Sequence, residues 1–174
     1  MQFGVLAPMN LTSEETVALF PSLGHLEEDG RTWRIQVHGE VFTHADRVSF
    51  GKRILLQLLQ RAMKATPEDL QSQIFRQRIE RFLAVDQAGK KIALRLGDDE
   101  HILPKKSKGN GHFQGTLRIS SGELMELARA GAYDDGKLTL GASIPEGGTC
   151  LPAAVHLLPR EGVSVISDID DTLK

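Results

Sequence analysis

The spacing of hydrophobic and polar positions changes several times along the chain, and each change predicts an element. In "TWRIQVHGEVF", residues 32–42, Trp33, Ile35, Val37 and Val41 share one face while Arg34, Gln36, His38 and Glu40 share the other. A period of two with one wet face predicts a strand of an antiparallel sheet. Before it, "TSEETVALF" predicts a short helix capped by Thr12 or Ser13, with acidic residues in its first turn, broken by Pro21 and Gly24. After Ser49 the spacing becomes helical: Ile54, Leu55, Leu58, Leu59, Ala62 and Met63 recur on one face. "ATPEDL" restarts a helix, with Thr66 as N-cap, Pro67 at the first helical position and Glu68 and Asp69 in the first turn. Leu70, Ile74, Phe75, Ile79, Phe82 and Leu83 continue the apolar face, so residues 49–83 predict a helical hairpin.

The period returns to two beyond the hairpin. "FLAVDQAGKKIALRL" predicts two strands around Ala88-Gly89, "HFQGTLRIS" another, and "DDGKLTLGASI" and "LPAAVHLLP" two more. "SSGELMELARAG" predicts a short helix capped by Ser120 or Ser121, and "PKKSKGNGH" a polar, mobile loop. Residues 1–159 therefore read as a mostly β, β-sandwich-like domain with a helical-hairpin insertion at about 49–83. "PREG", at 159–162, is a turn and the boundary. "VSVIS" follows with no wet face, the pattern of a strand buried on both sides in a parallel α/β sheet. Residues 160–174 thus read as the first strand of a second, truncated domain. Within this chain "VSVIS" is expected to pair with an edge of the β domain, "LPAAVHLLP" being nearest.

Composition narrows the function classes. A chain of 174 residues is long enough for a substantial core, and a net charge of −2 gives no pull toward nucleic acid. Cys150 is the only cysteine, so no intrachain disulfide forms. The first residues have no basic stretch followed by a long apolar one, and no apolar run approaches 20 residues. The expected setting is cytoplasmic. The six histidines lack metal-ligand spacing, His38 and His44 included. Cys150 reads as a packed residue, and the "NLT" at Asn10 carries little weight as a glycosylation site without a secretion signal.

The candidate chemistry lies in "SVISDIDDTLK". Asp168 and Asp170 are two residues apart, directly after the apolar run. Functional groups of open α/β sheets sit beyond the carboxyl ends of strands. A carboxylate there can attack phosphorus, and a second can protonate the leaving oxygen and then deprotonate water. A carboxylate about 4 Å from a phosphate is repelled by about 4 kcal/mol at an effective dielectric of 20, so a divalent cation must bridge them. Mg²⁺, with its oxygen ligands, suits that position.

"VSVISDIDDTLK" resembles the first catalytic motif of the haloacid-dehalogenase superfamily of phosphatases. Within it "ISDIDDT" is most similar to the actin-patch type of phosphatidate phosphatase, a lipin-related family, and "LFPSLGHLEEDGRTWRIQVHGEVF" is similar to the β-rich region that precedes the motif there. The resemblance implies a truncated haloacid-dehalogenase-like domain after residue 159 and a phosphoric monoester hydrolase acting on a phosphorylated, phosphatidate-like lipid. It implies Asp168 as nucleophile and Mg²⁺ ligand, Asp170 as general acid/base that also binds metal through its carbonyl, and Thr172 as the residue orienting the loop. Asp171 takes no role. Such enzymes also need a Ser or Thr for the phosphate, a Lys and a later acidic pair. None follows Lys174, so the chain is expected to be the N-terminal part of a longer enzyme and inactive alone.

Simpler accounts stand beside these. An acidic turn would expose the same carboxylates, and a calcium loop is disfavoured because the central Gly and twelfth-position Glu are absent. The hairpin carries Lys52, Arg53, Arg61, Lys64, Arg76, Arg78 and Arg81 against Glu68, Asp69 and Glu80, seven against three for a net of +4. A solvated face accounts for that; contact with an anionic membrane surface, which would make the protein peripheral, is the sharper account. The competing function class is a lipid- or protein-binding β-module with a vestigial motif.

Overall fold

The computed structural model describes residues 10–44, Arg61 and residues 84–161. Along the chain these form β1 (Glu15–Leu19), β2 (Ser22–Leu26), β3 (Thr32–Thr43), β4 (Val85–Asp86), β5 (Ala93–Leu96), β6 (Asp99–Ile102), β7 (His112–Ser120), α1 (Ser121–Arg129), β8 (Tyr133–Asp134), β9 (Lys137–Ala142), β10 (Thr149–Leu151) and β11 (Ala153–Leu158). The described region is mostly β, as expected, with the helix α1 and the helical Arg61 beside the strands. The hairpin expected at 49–83 and the strand expected at 163–167 lie outside the described residues.

Strand β3 is the organiser. Ile35, Val37 and Val41 are fully buried while Gln36 and His38 face water, so the period-two reading holds at its centre. Its twelve residues use both edges. On one edge β1 pairs antiparallel with Gly39–Thr43 and β2 with Trp33–Ile35; on the other, β7 pairs with Thr32–Glu40 and β4 with Phe42 and Thr43. From Leu19↔Gly39 to Gly24↔Ile35 the β1–β2 segment takes five steps against four on β3, an extra residue accommodated at Phe20-Pro21. β10 and β11 run parallel to β1 and β2 with one unchanged register offset, from Thr16↔Thr149 to His25↔Leu158.

These pairings correct several expectations. "TSEETVALF" is not a helix. The Glu15 carboxylate does accept from Thr12 N–H at 2.8 Å, the local contact of a helix start, but the chain then enters the sheet. All five residues of β1 are buried, flanked by β3 and β10, whereas a surface helix would expose one side. Gly24 does not end an element either. It lies within β2, where a Cβ would come 2.6 Å from Leu157 Cδ2, so glycine allows β11 to approach. The two strands around Ala88-Gly89 exist as β4 and β5, but they do not pair with each other: β4 joins β3, and β5 joins β6 and β9. "DDGKLTLGASI" begins with a hairpin turn, Asp135 and Gly136 both having positive φ between β8 and β9. β11 has both edges occupied, by β2 and β9, while the pairing expected of "VSVIS" lies outside the described residues.

The sheet runs β10-β1-β3-β2-β11-β9-β5-β6, with β7 and β4 on the far side of β3, and it is not closed. One core lies on its inner face, where Ile92, Leu94 and Leu96 join Phe113, Leu117 and Ile119 from the opposite end of the strand order. The sheet therefore curls until its ends face each other. The crossing chain supports this: Leu103 fills the space left by Gly115, where a Cβ would be 2.4 Å from Leu103 Cδ2. α1 lies at one end of the curl and contributes Leu124 and Leu127 to the core. Ser120 caps it as expected, its hydroxyl accepting from Glu123 N–H at 3.1 Å while the Glu123 carboxylate accepts from Ser120 N–H at 2.6 Å. A small second cluster, Ala18, Phe42 and Ala84, sits on the outer face.

Candidate functional site

Asp168, Asp170 and Thr172 lie outside the described residues, as does the basic hairpin apart from Arg61, which is helical and exposed. Among the described residues no group of three or more His, Cys, Asp or Glu side chains could hold a metal ion. His38 is exposed on β3, and His44 meets Phe42 edge-on with ring centroids 5.4 Å apart. Cys150 packs against the core, and its Sγ accepts from Ala142 N–H at 3.3 Å, in keeping with a packed thiol. The Asn10 amide is engaged in structure: it donates to Gly89 C=O at 3.0 Å and accepts from Lys91 N–H at 2.8 Å. No helix among the described residues is long and apolar enough to cross a membrane.

The chemistry that remains is on the wet face of β3 and β7. Because the two strands pair without a break, the side chains of this face stand directly opposite one another: Arg34 and Arg118, Gln36 and Thr116, His38 and Gln114, Glu40 and His112, of which Glu40, expected to face water, is instead buried. Opposed pairs have Cβ atoms about 4.5–5.5 Å apart, so like charges there repel. The Arg34–Arg118 row is relieved on one side only. Arg118 Nε donates to Glu27 at 3.0 Å, while Arg34 Nε is buried with no hydrogen-bond partner. At the other end of the face His112 Nε2 lies 3.8 Å from Glu40 Oε2.

Two grooves open on this face. One, of about 330 Å³, runs between the β3–β7 rows and the crossing chain at Pro104 and Lys105, and takes Gln36, His38, Gln114, Gly115 and Thr116 as its other walls. The other, of about 520 Å³, lies at the β2–β3 turn and is lined by His25, Leu26, Glu27, Glu28, Asp29 and Arg34. Asp29 is committed to the turn. Thr32 Oγ1–H donates to it at 2.6 Å and the N–H groups of Arg31 and Thr32 at 2.8 and 2.9 Å. These bonds, the Thr32 hydroxyl first, hold its carboxyl below the usual range.

The crossing chain is more ordered than "PKKSKGNGH" predicts. Ser107 is buried: its hydroxyl donates to Gln87 C=O at 2.6 Å and accepts from Lys90 N–H at 2.9 Å, while its own N–H reaches Lys90 C=O. The wet rows of β3 and β7 were legible from alternation alone. That Lys105 stands over them was not, because the loop's path is set by Leu103 entering the core and by Ser107. No family model matches the chain, and no curated protein matches it either.

Proposed function

We propose that the chain carries the nucleophile loop of a Mg²⁺-dependent, phosphatidate phosphatase-like enzyme, with residues 1–159 as a sandwich-like accessory domain before a haloacid-dehalogenase-like catalytic domain. The observation behind this reading is the run Asp168-x-Asp170-x-Thr172 directly after the apolar "VSVIS". β11 ends at Leu158, ten positions before Asp168, so the nucleophile is tethered within about 35 Å of the sheet. The two halves of the curled sheet, facing across one core, would serve as the layers of the accessory domain.

Asp168 attacks the phosphorus of a phosphate monoester, and the bond from phosphorus to the lipid alcohol oxygen breaks. Asp170 gives its proton to that oxygen. Asp170 then takes a proton from the water that attacks the acyl-phosphate, releasing inorganic phosphate and restoring the Asp168 carboxylate. Thr172 orients the loop. The donor set of Asp168 and Asp170 is all oxygen, which suits a hard cation in kind but falls short of an octahedral shell in number. Bound there, Mg²⁺ would screen the repulsion between nucleophile and phosphate. The remaining groups, a phosphate-binding hydroxyl, a lysine and an acidic pair, would come from outside residues 1–174. The basic face of the hairpin would meet the anionic membrane in which such a substrate resides.

The test is Mg²⁺-dependent phosphate release from phosphatidate by the protein translated from the whole reading frame. Asp168→Asn is expected to reduce turnover to background, and Asp170→Asn to lower it about 10²- to 10⁴-fold, both with unchanged thermal melting. The 174-residue chain alone is expected to release none. Undiminished activity in Asp168→Asn would sink the reading.

A further inference from the structure

The two grooves on the wet face of β3 differ in chemistry more than in size. The groove at the β2–β3 turn presents Glu27, Glu28 and Asp29, which repel an anion. The groove beneath Lys105 presents amides from Gln36 and Gln114, the His38 imidazole, the Thr116 hydroxyl and one ammonium, with no carboxylate in its lining. We propose that this second groove is a binding site for a phosphate group, carried either on a lipid headgroup or on a soluble phosphate monoester.

Donor number and direction favour a phosphate. A phosphate accepts hydrogen bonds from several sides at once, and this lining approaches from three: β3, β7 and the crossing chain. Gln36 stands opposite Thr116 and His38 opposite Gln114, so four of the groups are set by sheet register rather than by flexible loops. Lys105, two residues after Leu103, which packs at Gly115, adds a positive charge to the lining. A planar carboxylate would satisfy fewer of these donors. The proposal stands apart from the reading of Asp168, since it uses none of the residues after Leu158.

The ¹⁵N-labelled 174-residue chain, titrated with glycerol 3-phosphate at constant ionic strength, tests it. Saturable shifts are expected at Gln36, His38, Lys105, Gln114 and Thr116, with His25 and Glu28 unmoved. Lys105→Glu and, independently, Gln114→Glu are each expected to weaken binding about tenfold or more; both positions are exposed, so the fold should persist. Vesicles of phosphatidylcholine with and without phosphatidate separate the two sources. Phosphatidate-dependent recruitment that glycerol 3-phosphate competes away and that Gln114→Glu abolishes assigns a lipid headgroup. Saturable shifts without recruitment assign a soluble ester. Shifts that never saturate, that spread over the surface lysines generally, or that survive both variants overturn the site.

Discussion

Glu15 carries more of the fold than its acidic side chain suggests. It is only 4% exposed, it caps Thr12 N–H, and it pairs with Lys90, whose Nζ also donates to Asn10 C=O. Two chain segments, residues 10–15 and the turn at Lys90, meet at these charges, so removing one leaves the other without its counter-charge, Glu15 buried and Lys90 half-buried. Glu15→Ala is expected to destabilise by about 3 kcal/mol in urea titration, while replacing Glu15 and Lys90 together by Met recovers much of it. Equal losses in the single and double variants would show that the charges act independently.

Two carboxylates on the surface link stability to acid. Asp29 is held low by Thr32 and Arg31, and Glu123 by Ser120 N–H and then by the Ser120 hydroxyl. Both values are depressed on folding. The stability they contribute is therefore complete above the unfolded-state carboxylate pKa of about 3.9 to 4.3, and it is lost as pH falls through the lower native values. The melting temperature should drop on acidification below about pH 4, and less steeply in an Asp29→Asn/Glu123→Gln variant. An identical acid limb in that variant would show that these two groups do not drive it.

At the scale of elements, close approach matters as much as pattern. β1 pairs with β3 up to Gly39, where an added Cβ would lie 2.6 Å from the carbonyl oxygen of Ala18 and 2.4 Å from Phe113 Cζ. The backbone carbonyl cannot move without breaking the β1–β3 ladder. Gly39→Ala is expected to cost about 1–3 kcal/mol or more. Gly109→Ala, with nothing within 4 Å of its new Cβ, is expected to change stability by no more than about 0.5 kcal/mol in the same chemical melts. The strands that alternation marked clearly, β3 and β7, are those with one wet face. β1 and β2 escaped because their surroundings hide the signal: β1 is buried on both faces, and β2 carries a glycine where another strand needs room.

At the scale of the molecule, the open sheet sets what the domain can offer. Its curl brings the crossing chain over the wet face of β3, creating a donor-lined groove that no local stretch encodes. The groove and the Asp168 loop would be two sites on one chain, one holding phosphate and one cleaving its ester.

The sequence alone determined whatever depends on neighbours a few residues apart. It set the alternation at the centre of β3, from Ile35 to His38, and the cap of α1 at Ser120, with Glu123 three residues on. It also carried the carboxylate pair at Asp168 and Asp170, on which the proposed function rests. Only the tertiary structure decided matters that depend on what lies across the sheet. Thr12 and Glu15 make the local contact of a helix start, yet Glu15–Leu19 is a strand, because β3 and β10 offer hydrogen bonds on both edges and bury all five residues. A short helix gains little on its own in water, so the burial available in the sheet outweighs the cap. The same reason explains Lys105: its place over Gln36 and Gln114 follows from Leu103 entering a core assembled by strands far from it in sequence.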